Sequence, residues 1–446
     1  MMLGGVAYLY PLILNNNRKK VLEWTGLGLI VASYFLISAN NPWPGYLAIF
    51  PVLGSFLIIQ AQRSDSFITG NVIFQKIGSW SYSIYLWHWP LVVAIYIFSL
   101  DELYTYFGIA FSILLGFLSH TYIERIKFRN QFSSISSYVK CKPIYIAGFA
   151  GFIGMTVYLN NDDLSDLRLT SEEIAVINQQ RKNFTEPNCE KEENDLPVGC
   201  VYGEGPIKAI IIGDSHAQAQ AVAIGNRASL FGGSVLSFGK MGCPTIKGVH
   251  LVDNNNIDQI CGVLLEKIIS MTEKKYSNIP IIVINRTSLY LHGHNEQSDY
   301  YSEKPKLFVD KVFPARNNDF LENITGHMVG TICEFTKHNP VYLVKPIPEM
   351  RLDVPLSMFR SLALNKGREL IKIPLTEYQE RQNVTLNMQY SAEKKCGAKL
   401  LDPTPYLCDG EYCYGDRDYV PLYYDDDHLS KHGSQVVSTI YDEIFK

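Results

Sequence analysis

The chain has 446 residues and a formal net charge of −4, room for two or three domains. So small a net charge argues against a nucleic-acid partner, which calls for a basic surface. The averages blend two unlike halves: long apolar runs dominate residues 1–160, and residues 161–446 are charged and mixed.

In chain order, the first run, residues 1–14, is too brief to span a bilayer. It lacks the basic segment and cleavage site of a signal peptide and reads as the tail of a helix from a larger membrane domain. Five longer runs follow at 21–38, 45–61, 80–100, 103–123 and 143–159, each suited to a membrane helix. Their connecting loops are charged on one side only. One set carries Arg18, Lys19, Lys20, Arg63, Lys76, Arg125, Lys127, Arg129, Lys140 and Lys142, and the other set, around 40–44 and 101–102, carries no Lys or Arg. The basic set belongs in the cytoplasm, so the chain beyond about residue 160 is expected outside it. His88 lies within a span, where an unpaired imidazole is costly.

Cysteine usage agrees with that topology. Cys141 falls in an expected cytoplasmic loop, and Cys189, Cys200, Cys243, Cys261, Cys333, Cys396, Cys408 and Cys413 fall on the oxidising side, enough for four disulfides. Short loops favour Cys189–Cys200, Cys243–Cys261 and Cys408–Cys413, leaving Cys333 and Cys396. No Cys-x-x-Cys pair or Cys/His cluster supports a zinc site, and no metal is expected.

Residues 161–206 read as a polar linker or cap. From 207 onward short apolar runs alternate with amphipathic stretches. The expected strands are 207–212, 234–238, 279–284, 341–344 and 399–401, and the expected helices are 217–230, 257–274, 320–338, 376–395 and 431–445. That alternation predicts a parallel sheet covered by helices on both faces, with ligands at the carboxyl ends of the strands. The first strand runs into Gly213-Asp214-Ser215-His216, at such an end and at the start of a helix. A serine hydroxyl there needs a base and a group that orients the base, and the helix start supplies a free N–H for an oxyanion. A simple helix cap at Asp214 or Ser215 is the competing reading. Near the carboxyl terminus, YYDDDHLSKHG places Asp425 and His428 at Asp-x-x-His spacing before the last helix.

With these two motifs, the chain from 207 to its end resembles the SGNH hydrolase superfamily. The resemblance implies a flavodoxin-like α/β domain with Ser215 as nucleophile, His428 as general base and acid, and Asp425 as orienting carboxylate; Asp426 and Asp427 stand beside it. The oxyanion donors implied are the N–H of Ser215, a glycine after the second strand and an Asn after the third. In SFGKMGCP the glycine is Gly242, with Gly239 as the alternative. In IVINRTSLY the Asn is Asn285, without the family's Gly-x-Asn-Asp pattern, and Arg286 is equally well placed. Residues 77–90, IGSWSYSIYLWHWP, and 122–129, YIERIKFR, resemble the later helices of the acyltransferase-3 family of multispan membrane proteins, many of which carry an SGNH domain after an added final helix. The domains implied are a partial membrane bundle (1–160), the linker (161–206) and a catalytic domain (207–446).

Together the resemblances imply O-acylation, most often acetylation, of an envelope polysaccharide such as lipopolysaccharide O-antigen, by a multi-pass protein of the bacterial inner membrane with a periplasmic catalytic domain. Acetyl-CoA would be the acyl donor for the complete membrane system, with no cofactor bound by the SGNH domain. Partners implied are the polysaccharide, the bilayer and a missing or separately encoded N-terminal membrane half, because the family's Arg-rich first helices have no counterpart in this sequence. A periplasmic esterase using the same triad is the alternative.

Overall fold

In the computed structural model, residues 2–37, 45–98, 100–124, 134, 142–160, 170–179, 192–193, 196–197, 199–253, 256–295, 304–364 and 370–446 are described. The chain divides into two units, Met1–Ala150 and Gly151–Lys446.

The first unit is helical: α1 (Met2–Leu9), α2 (Asn16–Leu36), α3 (Ile49–Ala61), α4 (Val72–Ile97) and α5 (Glu102–Ser119), the last continued by a wide turn, His120–Glu124. Helix α6 (Lys142–Leu159) runs across the division. A helix therefore lies on each of the five apolar runs. Among the described residues, however, only Glu102–Glu124 is both long and apolar enough to cross a membrane. The reasons are local. Helix α2 opens on Arg18, Lys19 and Lys20 and carries Glu23. Helix α3 with its leading turn and the apolar part of α6 are short against the roughly 20 residues a span needs. Helix α4 is 26 residues long but crowded with Ser, Tyr, Trp and His.

Packing in this unit uses small residues. Gly26 of α2 and Gly54 of α3 meet so closely that a Cβ on either would lie 2.6 Å from the other's carbonyl oxygen. Close backbone approach of this kind is how helices associate where no hydrophobic effect drives them together. Buried Glu23 pairs with Arg63 at 2.6 Å, and Gln60 bonds the backbone of Ala7, Tyr10 and Leu12. His88 meets its own helix, with Nδ1 2.6 Å from the Tyr85 carbonyl. Large apolar side chains such as Trp24, Phe35, Tyr82, Trp89 and Phe107 stay exposed.

The second unit is an α/β domain. Its strands are β1 (Cys200–Gly203), β2 (Ile207–Gly213), β3 (Ser234–Ser237), β4 (Ile281–Ile284), β5 (Val341–Val344) and β6 (Lys399–Leu401). Their order across the sheet is β6-β5-β4-β2-β3-β1, all parallel except the edge strand β1, which is antiparallel to β3. From β2 the chain first steps to β3 and then crosses to β4, so the order reverses between β2 and β4. Ligand crevices open at such a reversal, beyond the carboxyl ends of the strands.

Period-two alternation lets each strand serve both faces. Ile210, Ile212, Leu236, Ile281, Val283 and Leu343 enter the larger core, under α9 (Ile260–Lys274), α11 (Asn318–Thr336) and α13 (Leu375–Cys396). Ala209, Ile211, Val235, Ile282, Ile284 and Val344 face α8 (Ser215–Leu230) and the carboxyl-terminal helices. A third cluster, including Ile347, Val354, Tyr378, Leu422, Tyr423 and Leu429, packs around the segment that leads to His428. It takes residues from α7 (Ser171–Gln179), α12 (Val354–Ala363) and α14 (Lys431–Val437).

All five expected strands form within two residues of their expected ends. Strand β1 lies inside the stretch read as linker, so the sheet begins before residue 207. The helix expected from 257 starts at Ile260, because Asn256–Asp258 pairs with His250–Asp253 as a hairpin. The helix expected over 431–445 breaks after Val437 into a 3₁₀ turn and a last short helix. Disulfides join Cys243–Cys261, Cys333–Cys396 and Cys408–Cys413. Cys189, like Cys141 and the basic residues Arg125, Lys127, Arg129 and Lys140, lies outside the described residues.

Candidate active site

Two strand ends build the site. Gly213 closes β2 opposite Ile284 of β4, and a Cβ on Gly213 would lie 1.8 Å from the Ile284 carbonyl oxygen, so only glycine fits. Asp214 then caps α8, its Oδ1 accepting the His216 N–H at 2.9 Å. Its Oδ2 accepts the Arg286 N–H at 2.8 Å and the Tyr290 hydroxyl at 3.1 Å. This buried carboxylate therefore joins the β2–α8 corner to the turn between β4 and α10 (Thr287–His292). Asp214 thus caps the helix, as the competing reading of the corner expects, and it also fastens the two strand ends to each other. Ser215 is the first residue of α8, where an N–H has no intrahelical acceptor.

The Asp-x-x-His loop meets this corner. His428 Nε2 lies 2.7 Å from Ser215 Oγ. On the other side of the ring, Nδ1 lies 2.8 Å from Asp425 Oδ2 and 2.9 Å from Asp427 Oδ1. The loop is folded tightly because Asp425 Oδ1 accepts the N–H groups of Asp427 and His428. The imidazole lies against two rings, stacked on Tyr424 with centroids 5.1 Å apart and tilted against His216 at 4.7 Å. Burial alone would lower the His428 pKa; the hydrogen bonds and charges of Asp425 and Asp427 outweigh it and push the pKa up to about 10.

Arg286 is the electrostatic centre of the site. It is 7% exposed, its Nε donates to Glu349 Oε1 at 2.7 Å, and its Nη1 contacts Asp427 Oδ2. Glu349, also buried, accepts from Ser288 at 2.9 Å and from Arg381 at 2.8 Å. Burial would lower the Arg286 pKa, but Glu349 and Asp427 raise it. For Asp427, burial would favour the neutral acid, but hydrogen bonds to His216 and His428 and the charge of Arg286 hold the carboxyl well below its ordinary value. His216 Nε2 lies 3.3 Å from Asp427 Oδ2. Ligand-type atoms of His216, Asp427 and His428 lie within 4.8 Å of one another, but a cation there would face the guanidinium of Arg286.

The expected oxyanion residues are placed unevenly. Gly242, at φ +72°, sits in a turn closed by the Cys243 N–H on Lys240 O, a conformation that itself favours glycine. The alternative, Gly239, packs on the first turn of α8, where a Cβ would lie 3.0 Å from Gln218 Cγ. Asn285 accepts the Thr245 N–H at 3.3 Å through Oδ1. Its Nδ2 is buried without a partner, and the residue lines a cavity of about 20 Å³ with Thr245, Thr287 and Gln389, room for one water.

Glu349, Arg381, Tyr424 and the contacts of His216 and Asp427 are not legible in the sequence. Glu349 and Arg381 carry no motif and reach the site through tertiary folding. Asp427 was visible only as a neighbour of Asp425.

Fold and site define a doubly wound α/β domain with a serine, a histidine and a carboxylate in hydrogen-bonding sequence at the switch point. The chain belongs to the family of SGNH domains fused to AT3 domains, whose model matches residues 188–443. Staphylococcus aureus proteins of strains COL, MSSA476 and MRSA252, each named "Putative O-acetyltransferase", are 27% identical to it over 142 residues. The match covers 28% of this chain and 24% of theirs. Among solved structures, the periplasmic domain of the Salmonella ser. Paratyphi A lipopolysaccharide acetyltransferase aligns with 63% of this chain and 99% of its own, at 14% identity and a TM-score of 0.40.

Proposed function

We infer that the α/β domain is an O-acyltransferase, acting through an acyl-enzyme on Ser215 and delivering an acetyl group to an envelope polysaccharide such as lipopolysaccharide O-antigen. The observation that carries the reading is the 2.7 Å contact of Ser215 Oγ with His428 Nε2, continued at 2.8 Å to Asp425. Family membership and the names of the S. aureus relatives favour transfer as the outcome.

In this reading, Ser215 Oγ attacks the acyl carbonyl and its proton passes to His428 Nε2. The carbonyl electron pair moves onto oxygen. The Ser215 N–H at the helix start stabilises that oxyanion, with Gly242 or Gly239 and Asn285 as the further donors proposed. Each well-aimed donor lowers the barrier by roughly 3–4 kcal/mol. The carbonyl re-forms, the leaving group takes the proton from His428, and Ser215 holds the acyl group. A sugar hydroxyl then gives its proton to His428 and attacks the ester, and Ser215 leaves with the proton returned. The high His428 pKa favours the imidazolium formed in each half-reaction.

The first unit is proposed as the membrane part that supplies acyl groups, ultimately from acetyl-CoA, to a periplasmic catalytic domain at a bacterial inner membrane. Its outward apolar side chains, small-residue helix contacts and one-sided basic loops support several passes.

The test is partition of the acyl group. The full chain in detergent is given a radiolabelled acetyl ester with unacetylated polysaccharide. Serine-dependent label on the glycan supports transfer. Hydrolysis at a rate indifferent to glycan would favour the esterase. Label transfer undiminished in Ser215→Ala would refute the serine mechanism.

A further inference from the structure

Two carboxylates reach one N–H. The side chain of Asp427 is 3% exposed and that of Asp425 is 28% exposed, yet their oxygens lie 2.9 and 2.8 Å from the same His428 Nδ1. They are held differently. Asp425 is bonded by N–H groups of its own loop. Asp427 is gripped from outside that loop, by Arg286 beyond β4 and by His216 of α8. Arg286 is anchored in turn by Glu349, and Glu349 by Arg381 of α13. A chain of charges, buried except for the partly exposed Arg381, thus runs from the body of the domain to the imidazole.

We propose that Asp427 is a positioning residue for His428, a second acceptor of the Nδ1–H that fixes the imidazole against the domain while Asp425 fixes it within the loop. The inference rests on the acyl-enzyme reading of Ser215 and His428. In a serine triad with one carboxylate, an Asn in its place leaves the wrong tautomer and costs about 10⁴ in rate. With two, either carboxylate keeps the Nδ1–H tautomer when the other is lost. The charged and titratable groups around Asp427 are His216, Arg286, His428, Asp425 and Asp426, with Glu349 behind Arg286 and the Tyr423 and Tyr424 phenols nearby. Arg286 offsets much of the Asp427 charge, but an amide in its place still removes a negative charge from beside the imidazole.

The experiment uses the full chain in detergent and a chromogenic acetyl ester. The pH dependence of kcat/KM is measured for the parent, Asp425→Asn, Asp427→Asn, Asp427→Glu, the double Asn variant and Ser215→Ala. In parallel, His428 is titrated by NMR with labelled histidine, assigned through His428→Gln. Asp425→Asn should keep at least roughly a tenth of the parental kcat/KM, against the 10⁴-fold loss of a single-carboxylate triad. Asp427→Asn should move the acid limb, and the His428 titration with it, down by about 1 pH unit. Asp427→Glu should leave the limb in place, and the double variant should fall to the level of Ser215→Ala.

A His428 titration unmoved in Asp427→Asn overturns the proposal, and so does an Asp425→Asn variant as inactive as Ser215→Ala. If Ser215→Ala retains full release, the acyl-enzyme reading fails by itself, and the NMR titration then decides the role of Asp427 alone. If Asp427→Asn does not fold, Asp425→Asn decides it by the same tenfold criterion.

Discussion

Replacing Asp214 by Asn separates a helix cap from a fastening of the crevice. The carboxylate accepts three hydrogen bonds, from the His216 N–H on one oxygen and from the Arg286 N–H and Tyr290 hydroxyl on the other. An amide offers acceptors on one side only. Its better orientation keeps Arg286 and Tyr290 and turns an NH₂ group toward the His216 N–H. One hydrogen bond to a charged acceptor is then lost, about 1.5–3 kcal/mol, and two are weakened to neutral strength. Removing a buried charge returns part of its desolvation cost, which leaves a net loss on the order of 3 kcal/mol. For a domain of this size that lowers Tm by roughly 6–12 °C. Thermal melts of the full chain, followed by near-ultraviolet circular dichroism, measure it, with ester release as a second reading because Ser215 follows directly. A variant that melts within about 2 °C of the parent, a shift worth less than 1 kcal/mol, would refute the claim that Asp214 fastens the two strand ends.

Further outcomes follow from the same geometry. The base form of His428 is populated only as pH approaches its raised pKa of about 10, so kcat/KM for ester release should climb from neutral pH through roughly pH 9; a plateau beginning near the ordinary histidine value of about 6.5 would contradict it. The matching stability term has a definite sign. A raised folded pKa stabilises below about 6.5, and the contribution is lost as pH rises through about 10, so Tm should fall across that window, and less so in Asp427→Asn. Removing the Cys333–Cys396 bond, which closes a separation of 63 residues, with paired Ser substitutions should cost about 4 kcal/mol by chain-entropy reasoning, read from denaturant melts. Gly213→Ala forces a Cβ into the Ile284 carbonyl and should cost on the order of 3 kcal/mol, together with most of the ester release.

The strands of the α/β domain were legible because buried parallel strands are written as continuous apolar runs, and residues 207–212 and 341–344 are of that kind. The exposed edge strand β1 was not, since Cys200–Gly203 alternates and sits in a polar stretch; only its pairing with β3 marks it as part of the sheet. Ser215, Asp425 and His428 were legible because each belongs to a short motif of fixed spacing. Arg286 was legible as a place without a partner. Its bonds to Asp427 and Glu349 span 141 and 63 positions of sequence, and no local pattern records such a contact. In the first unit the apolar runs located the helices. The requirement for length and composition together is stricter, and the charged start of α2 and the aromatic middle of α4 keep those helices from meeting it.

The proposed mechanism requires a covalent acyl-serine. The full chain in detergent is incubated with an activated acetyl ester, quenched in acid and digested, and the peptide holding Gly213-Asp214-Ser215-His216 is examined by mass spectrometry. One acetyl group is expected on Ser215, accumulating without acceptor and discharged when polysaccharide is added, with no accumulation in His428→Gln. Turnover of the ester with Ser215 unmodified at every time point, and undiminished in Ser215→Ala, would overturn the acyl-enzyme mechanism.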